Sequence, residues 1–426
     1  MSLVITRLHA QETLDSRGAP TVAVTLYAES GATVAAGVPS GASTGSREAV
    51  ELRDGEADRY HGRGVRSAVR SVTGEIADAI VGTPFSTLAE LDQRLVDLDG
   101  TGDKSRLGAN AIVGVSIAAA KAFAADQREP VWRSLTGGGA VPRLPVPHFN
   151  VINGGRHARN RLDFQEFMIA PLGARSIAEA VRAGAEVYAA LRVILDERGL
   201  STGLGDEGGF APELSRPEEA LAILVKAIGA AGYQPSRDEV AIAIDPAASE
   251  FYLDGRYLID EASLTSTDMI DMYSTLLDDF PIWSIEDGLA EYDDEGWRAL
   301  TDELGDRVQL VGDDNFVTNP TIIEAAASDG VANAALIKVN QIGTVTETLE
   351  ALRVCRRHGY GAMISHRSGE TTDSFIADLA VGSGFGQLKS GAPARGERIA
   401  KYNRLLSIAE ANPGMAYGLP ETYRRP

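Results

Sequence analysis

Residues 282–286 read Ile-Trp-Ser-Ile-Glu, an apolar run that closes on the carboxylate of Glu286. The same form recurs on both sides of it. Val240-Ala-Ile-Ala-Ile runs into Asp245, Val308-Gln-Leu-Val-Gly into Asp313, and Ala335-Leu-Ile into Lys338. Ala362-Met-Ile-Ser then runs into His366, and Gln387-Leu into Lys389. From Asp245 onward the successive spacings are 41, 27, 25, 28 and 23 residues, all but the first about one strand–helix unit. Short apolar runs alternating with helix-like segments predict a parallel sheet with helical crossovers. One charged residue after a strand is ordinarily a helix cap. Six in phase predict a single rim, because the strand C-termini of a (β/α)₈ barrel open onto one mouth.

The side chains on that rim suggest a chemistry. Asp245, Glu286 and Asp313 are hard oxygen donors with no His or Cys among them, a set suited to Mg²⁺. Without an ion, the other account of them is salt bridging to Lys338 and Lys389 in a packed barrel. Lys338 beside a metal and a second lysine is expected to be neutral and to act as a base. Metal-assisted removal of a proton next to a carboxylate fits the set, since the cation stabilises the enolate formed. An elimination also needs an acid. Glu207, in Gly205-Asp-Glu-Gly-Gly209, and Glu166, after Leu162-Asp-Phe-Gln165, are two candidate carboxylates that can share a proton. Positive charge comes from His157 and from His366-Arg367-Ser368, where a strand-to-helix junction suits a phosphate.

Working outward, the 426-residue chain carries 60 acidic and 40 basic residues, a net charge of −20. That field disfavours nucleic acid and anionic membrane as partners. Cys355 is the single cysteine, so no intrachain disulfide forms and a reducing, cytoplasmic setting is expected. No signal-like segment is expected at the N-terminus, and Ala111–Ala125 is read as too short and too interrupted to span a membrane. Ahead of the barrel, Leu3–Arg7, Thr21–Tyr27 and Thr33–Val38 read as a β-meander. Val65–Ile80, Thr87–Val96 and Asn110–Ala125 read as helices. The division is therefore a small α+β domain over 1–135, a Gly- and Pro-rich linker over 136–147, and the barrel over 148–426. Ser40-Gly-Ala-Ser-Thr-Gly45 lacks the lysine of a phosphate-binding P-loop and reads as a lid reaching toward the mouth.

Taken together, these segments resemble the enolase family over nearly the whole chain. The likeness rests on Asp15-Ser-Arg-Gly18, Ser40–Gly45, Gly205–Gly209, Ser284-Ile-Glu-Asp287, Lys338-Val-Asn-Gln-Ile-Gly-Thr344, Ser365-His-Arg-Ser-Gly-Glu370 and Ala400-Lys-Tyr-Asn403. The resemblance implies an α+β lid domain before a modified TIM barrel with an antiparallel start. It implies dehydration of 2-phosphoglycerate to phosphoenolpyruvate with two Mg²⁺ ions per active site, and a homodimer or an octamer of dimers. Lys338 matches the family's base, and Glu207 the acid with Glu166 assisting. Asp245, Glu286 and Asp313 match the ligands of one metal, and Ser43 a ligand of the second. His157, Arg367, Ser368 and Lys389 match substrate-holding groups, with His366 beside them. Arg17 and Glu397 resemble dimer-contact residues. The chain departs from the usual pattern at Arg156 and Arg159, and also at Asn315, Thr372 and Gly396. The two added arginines motivate a second reading, a paralogue acting on a phosphonate, as in carboxyphosphonoenolpyruvate synthase. A third reading is a non-catalytic protein reusing the fold.

Overall fold

The computed structural model describes residues 2–42, 44–260 and 262–423, so the expected metal ligand Ser43 lies outside the described residues. The chain opens with β1 (Leu3–Leu14), β2 (Pro20–Ala28) and β3 (Thr33–Gly37), joined later by β4 (Pro84–Phe85) in the order β3-β2-β1-β4. The meander is as expected, but β1 is longer than Leu3–Arg7. Its polar second half, through Gln11 and Glu12, pairs in register with β2 as far as Leu14 opposite Pro20. The tight turn at Gly18, with φ of +74°, fixes that pairing.

Three helical stretches cover this sheet: Arg66–Ile80, with a π turn at Val72–Ile76, then Leu88–Asp99 and Ala109–Gln127. The last is 19 residues and, by length and composition alone, long and apolar enough to cross a membrane. This corrects the expectation that it falls short. It is a core helix here, 83% buried within the protein. It lies so close to the sheet that a Cβ on Gly114 would come within 2.8 Å of Val24 and 3.0 Å of Val38.

The second part is a closed eight-stranded barrel. Its strands are β5 (Val146–Asn153), β6 (Glu166–Ala170) and β7 (Ala241–Asp245), then β11 (Ile282–Glu286) and β12 (Gln309–Gly312). β13 (Ala334–Ile337), β14 (Gly361–Ser365) and β15 (Gln387–Lys389) complete it. Between β7 and β11 the chain makes a three-stranded excursion: β8 (Tyr252–Leu253), β9 (Arg256–Ile259) and β10 (Ala262–Leu264). β6 is antiparallel to both β5 and β7, and every other barrel pair is parallel. The barrel strands are buried throughout, which accounts for their nearly unbroken apolar character. The fold is thus a TIM barrel with an antiparallel start behind an α+β domain.

The two parts meet at the helix Val345–Arg357. Its first turn receives polar groups from the first domain. Asp92 accepts the Thr346 backbone N–H at 2.9 Å, Ser116 Oγ accepts that of Val345 at 2.9 Å, and Lys104 pairs with Glu347 at 2.9 Å.

Candidate active site at the barrel mouth

Asp245, Glu286 and Lys389 are the last residues of β7, β11 and β15, while Asp313, Lys338 and His366 directly follow β12, β13 and β14. All six are therefore carried to one end of the barrel. Because β6 runs the other way, Glu166 reaches the same end from the start of its strand, in register with Asp245. One cavity is lined by His157, Gln165, Glu166, Glu207, Asp245, Lys338, His366, Arg367, Ser368 and Lys389.

Two lysines organise the carboxylates. Lys389 Nζ lies 2.9 Å from Glu166, 3.1 Å from Asp245 and 2.9 Å from Glu286. Burial opposes its charge, yet these three acids hold its ammonium well above the usual lysine range. Lys338 pairs with Asp313, whose other oxygen accepts a hydrogen bond from Gln341 at 2.8 Å. Burial works against the Lys338 ammonium too, and Asp313 outweighs it, so its pKa is raised. Asp313 thus favours the Lys338 ammonium, opposite in sign to the metal and the second lysine that the sequence reading sets beside it.

The three expected metal ligands share one field without forming a closed trio. Glu286 is pushed well above the usual carboxylate range by burial, then by Asp245 and Asp313. That excess of buried negative charge suits a bound cation. Two groups of three among the described residues bring their ligand atoms within 4.8 Å of one another, His157–Glu166–Glu207 and Asp287–Asp313–Asp314. The sequence motif that contains Asp287 gives this residue no role of its own. Its carboxylate accepts the backbone N–H groups of Asp313 at 2.7 Å and Asp314 at 3.0 Å, fixing the turn that presents Asp313.

On the far side, Glu207 Oε2 lies 3.0 Å from His366 Nε2 and accepts a hydrogen bond from Asn150 at 3.0 Å. His157 sits 3.8 Å from Glu207 and 3.5 Å from Glu166. Burial and then Glu207 push Glu166 well above the usual range. Burial opposes ionisation of Glu207 as well, but the hydrogen bond from His366 and the charge of the Arg398 guanidinium favour its carboxylate and pull the carboxyl below that range. Their surroundings thus push the two carboxyls in opposite directions. Burial drives His366 down to about 3, so its ring is neutral. Arg398 Nη1 is 2.5 Å from His366 Nδ1. Arginine only donates, so the ring proton sits on Nε2, toward Glu207. Arg398, fully buried, also donates to the carbonyls of Arg367 and Ser368 at 2.6 Å each.

Arg367 lines the cavity and pairs with Glu48 of the first domain at 2.9 Å, and Ser368 Oγ accepts a hydrogen bond from Arg17 at 3.2 Å. Arg17 and Glu397, expected at a dimer contact, are each engaged within the chain, Arg17 with Asp15 and Glu397 with Arg395. Arg156 is 65% exposed and pairs with Glu250 at 2.6 Å, and Arg159 is exposed. Only His157 of that loop lines the cavity, so the arginine motive for a bulkier anionic substrate loses its footing.

Comparison with known proteins bears on this geometry. The family model described as "Enolase, N-terminal domain" matches residues 5–135, and "Enolase, C-terminal TIM barrel domain" matches 142–417. The chain belongs to the enolase family. A curated enolase of Acidothermus cellulolyticus is 56% identical over 407 residues, covering 96% of this chain and 94% of the relative. An enolase of Rubrobacter xylanophilus is 54% identical over 409 residues, covering 96% and 95%. The reaction is that of glycolytic enolase, dehydration of 2-phosphoglycerate to phosphoenolpyruvate, and the chain is a carbon–oxygen lyase. Neither relative supports the phosphonate alternative.

Proposed function

We propose that this dehydration is carried out by Lys338 as base and Glu207 as acid, with Glu166 storing the shared proton. The observation that carries the assignment is topological. β13 and β6 are four places apart in the eight-strand circuit, so Lys338 and Glu166 face each other across the mouth. A base and an acid on opposite sides of one bound molecule suit an anti elimination of water.

The donor set fits two Mg²⁺ ions per site. Asp245, Glu286 and Asp313 would hold the first, and Ser43, outside the described residues, would contribute to the second. Bound Mg²⁺ supplies charge stabilisation for the enolate dianion. Asp313, if committed to that ion, would no longer balance the charge of Lys338, whose neutral form would then be accessible. Lys389 is then drawn to the substrate's carboxylate. Arg367, Ser368 and His157 hold the phosphate and close over it, and His366, fixed in one tautomer by Arg398, orients Glu207.

The reading extends to a homodimer or an octamer of dimers and a cytoplasmic location, with a division of the chain at 136–147. Support for a reducing compartment is the single cysteine, Cys355, which leaves no intrachain disulfide to form. Lys338→Ala tests the assignment: phosphoenolpyruvate formation should fall by roughly 10³-fold or more with the fold intact by circular dichroism. Retention of a tenth of wild-type kcat would remove Lys338 from the role of base.

A further inference from the structure

Glu48 follows the lid segment Ser40–Gly45 and plays no part in the reaction as assigned above. Its carboxylate faces both Nη atoms of Arg367, at 2.9 and 3.0 Å, and the two side chains are only 9% and 2% exposed. The Gly45 backbone N–H and Gln341 Nε2 also donate to it, at 3.2 and 3.3 Å. Gln341 is the same side chain that donates to Asp313. Around Glu48 the lid segment is fastened to the barrel through its backbone. Ala49 N–H donates to the Gln341 carbonyl at 2.8 Å, and Ser40 and Gly369 exchange hydrogen bonds at 2.8 and 2.9 Å. One carboxylate from the first domain therefore touches the arginine assigned to the phosphate and the glutamine that holds Asp313.

A two-point carboxylate–guanidinium contact fixes the plane of the arginine as well as balancing its charge. We propose that Glu48 is a positioning residue: it orients Arg367 for the substrate's phosphate and makes docking of the lid and completion of the anion site a single event. This rests on the assignment of Arg367 to the phosphate. The competing account is that Glu48 is a counter-ion that substrate must displace. The two differ in sign. On charge alone, neutralising Glu48 strengthens anion binding; if Glu48 orients Arg367, neutralising it weakens binding.

The experiment compares the full-length, Mg²⁺-loaded wild type with Glu48→Gln, Glu48→Asp and Glu48→Ala. Calorimetric titration with inorganic phosphate is run beside steady-state kinetics on 2-phosphoglycerate. Loss of the charge-assisted pair should weaken phosphate binding about tenfold in Glu48→Gln and raise KM by a similar factor, with Mg²⁺ affinity unchanged. Glu48→Asp should recover part of the loss. If Glu48→Ala misfolds, Glu48→Gln and Glu48→Asp still decide the matter. Phosphate binding that is unchanged or tighter in Glu48→Gln overturns the role of Glu48. A wild type that neither binds phosphate nor turns over 2-phosphoglycerate overturns the underlying assignment as well.

Discussion

At the residue scale, the acidic and basic groups on strand ends were visible in the sequence because each is a polar full stop after an apolar run. The groups that orient them were not. Arg398 lies on the helix Gly396–Ala411, where its spacing resembles any solvated helix arginine. Only in the fold is it fully buried, with its guanidinium against His366 and the carbonyls of Asp206, Arg367 and Ser368. Asn150, inside an apolar strand, and Asp287, after Glu286, were equally silent. Arg398→Lys tests how much depends on that orientation. Lysine cannot donate at all of these places, so kcat should fall by about 10- to 100-fold while Mg²⁺ binding persists, read by kinetics and calorimetry.

At the scale of elements, the strand-end pattern predicts the parallel strands but not β6. Glu166 stands at the start of its strand, so a rule about strand C-termini passes over it. β6 returns antiparallel to β5 because the connection between Asn153 and Glu166 holds no crossover helix, only a 3-10 turn at Gly155–His157, and periodicity does not report that. The helix Val345–Arg357 gives an element-level prediction. Asp92 is buried against its first turn, and burial raises its carboxyl from 3.8 to about 6. The folded state therefore binds a proton more tightly than the unfolded chain, and stability falls as pH rises from about 4 to about 6. Below that window Asp92 is protonated in both states and costs nothing; above it the whole cost is present. Asp92→Asn keeps an acceptor for Thr346 without the charge. It should stabilise the protein by roughly 2–3 kcal/mol at pH 8 and leave it nearly unchanged at pH 4, measured by denaturant titration. A larger effect at pH 4 than at pH 8 would refute this.

At the scale of the whole molecule, the mouth concentrates buried carboxylates around Lys338 and Lys389, with Arg367 and Arg398 beside them. A cation bound there stabilises the native state alone. Saturating Mg²⁺ should raise the melting temperature by several degrees and EDTA should reverse the shift, seen by scanning calorimetry. Equal melting curves with and without the ion would contradict the metal assignment. By itself, the sequence determined which residue types end the barrel strands and at what intervals. Apolar burial and strand length leave few other ways to arrange that pattern, so the barrel and its rim were legible. Only the tertiary structure decided the partners: Lys389 among three carboxylates, Lys338 on Asp313, Arg156 turned out to Glu250, and Glu48 reaching from the first domain to Arg367. The reason is physical. Pairing energies in a buried site depend on distances between residues far apart in the chain, and those distances exist only once the barrel has closed under its lid domain.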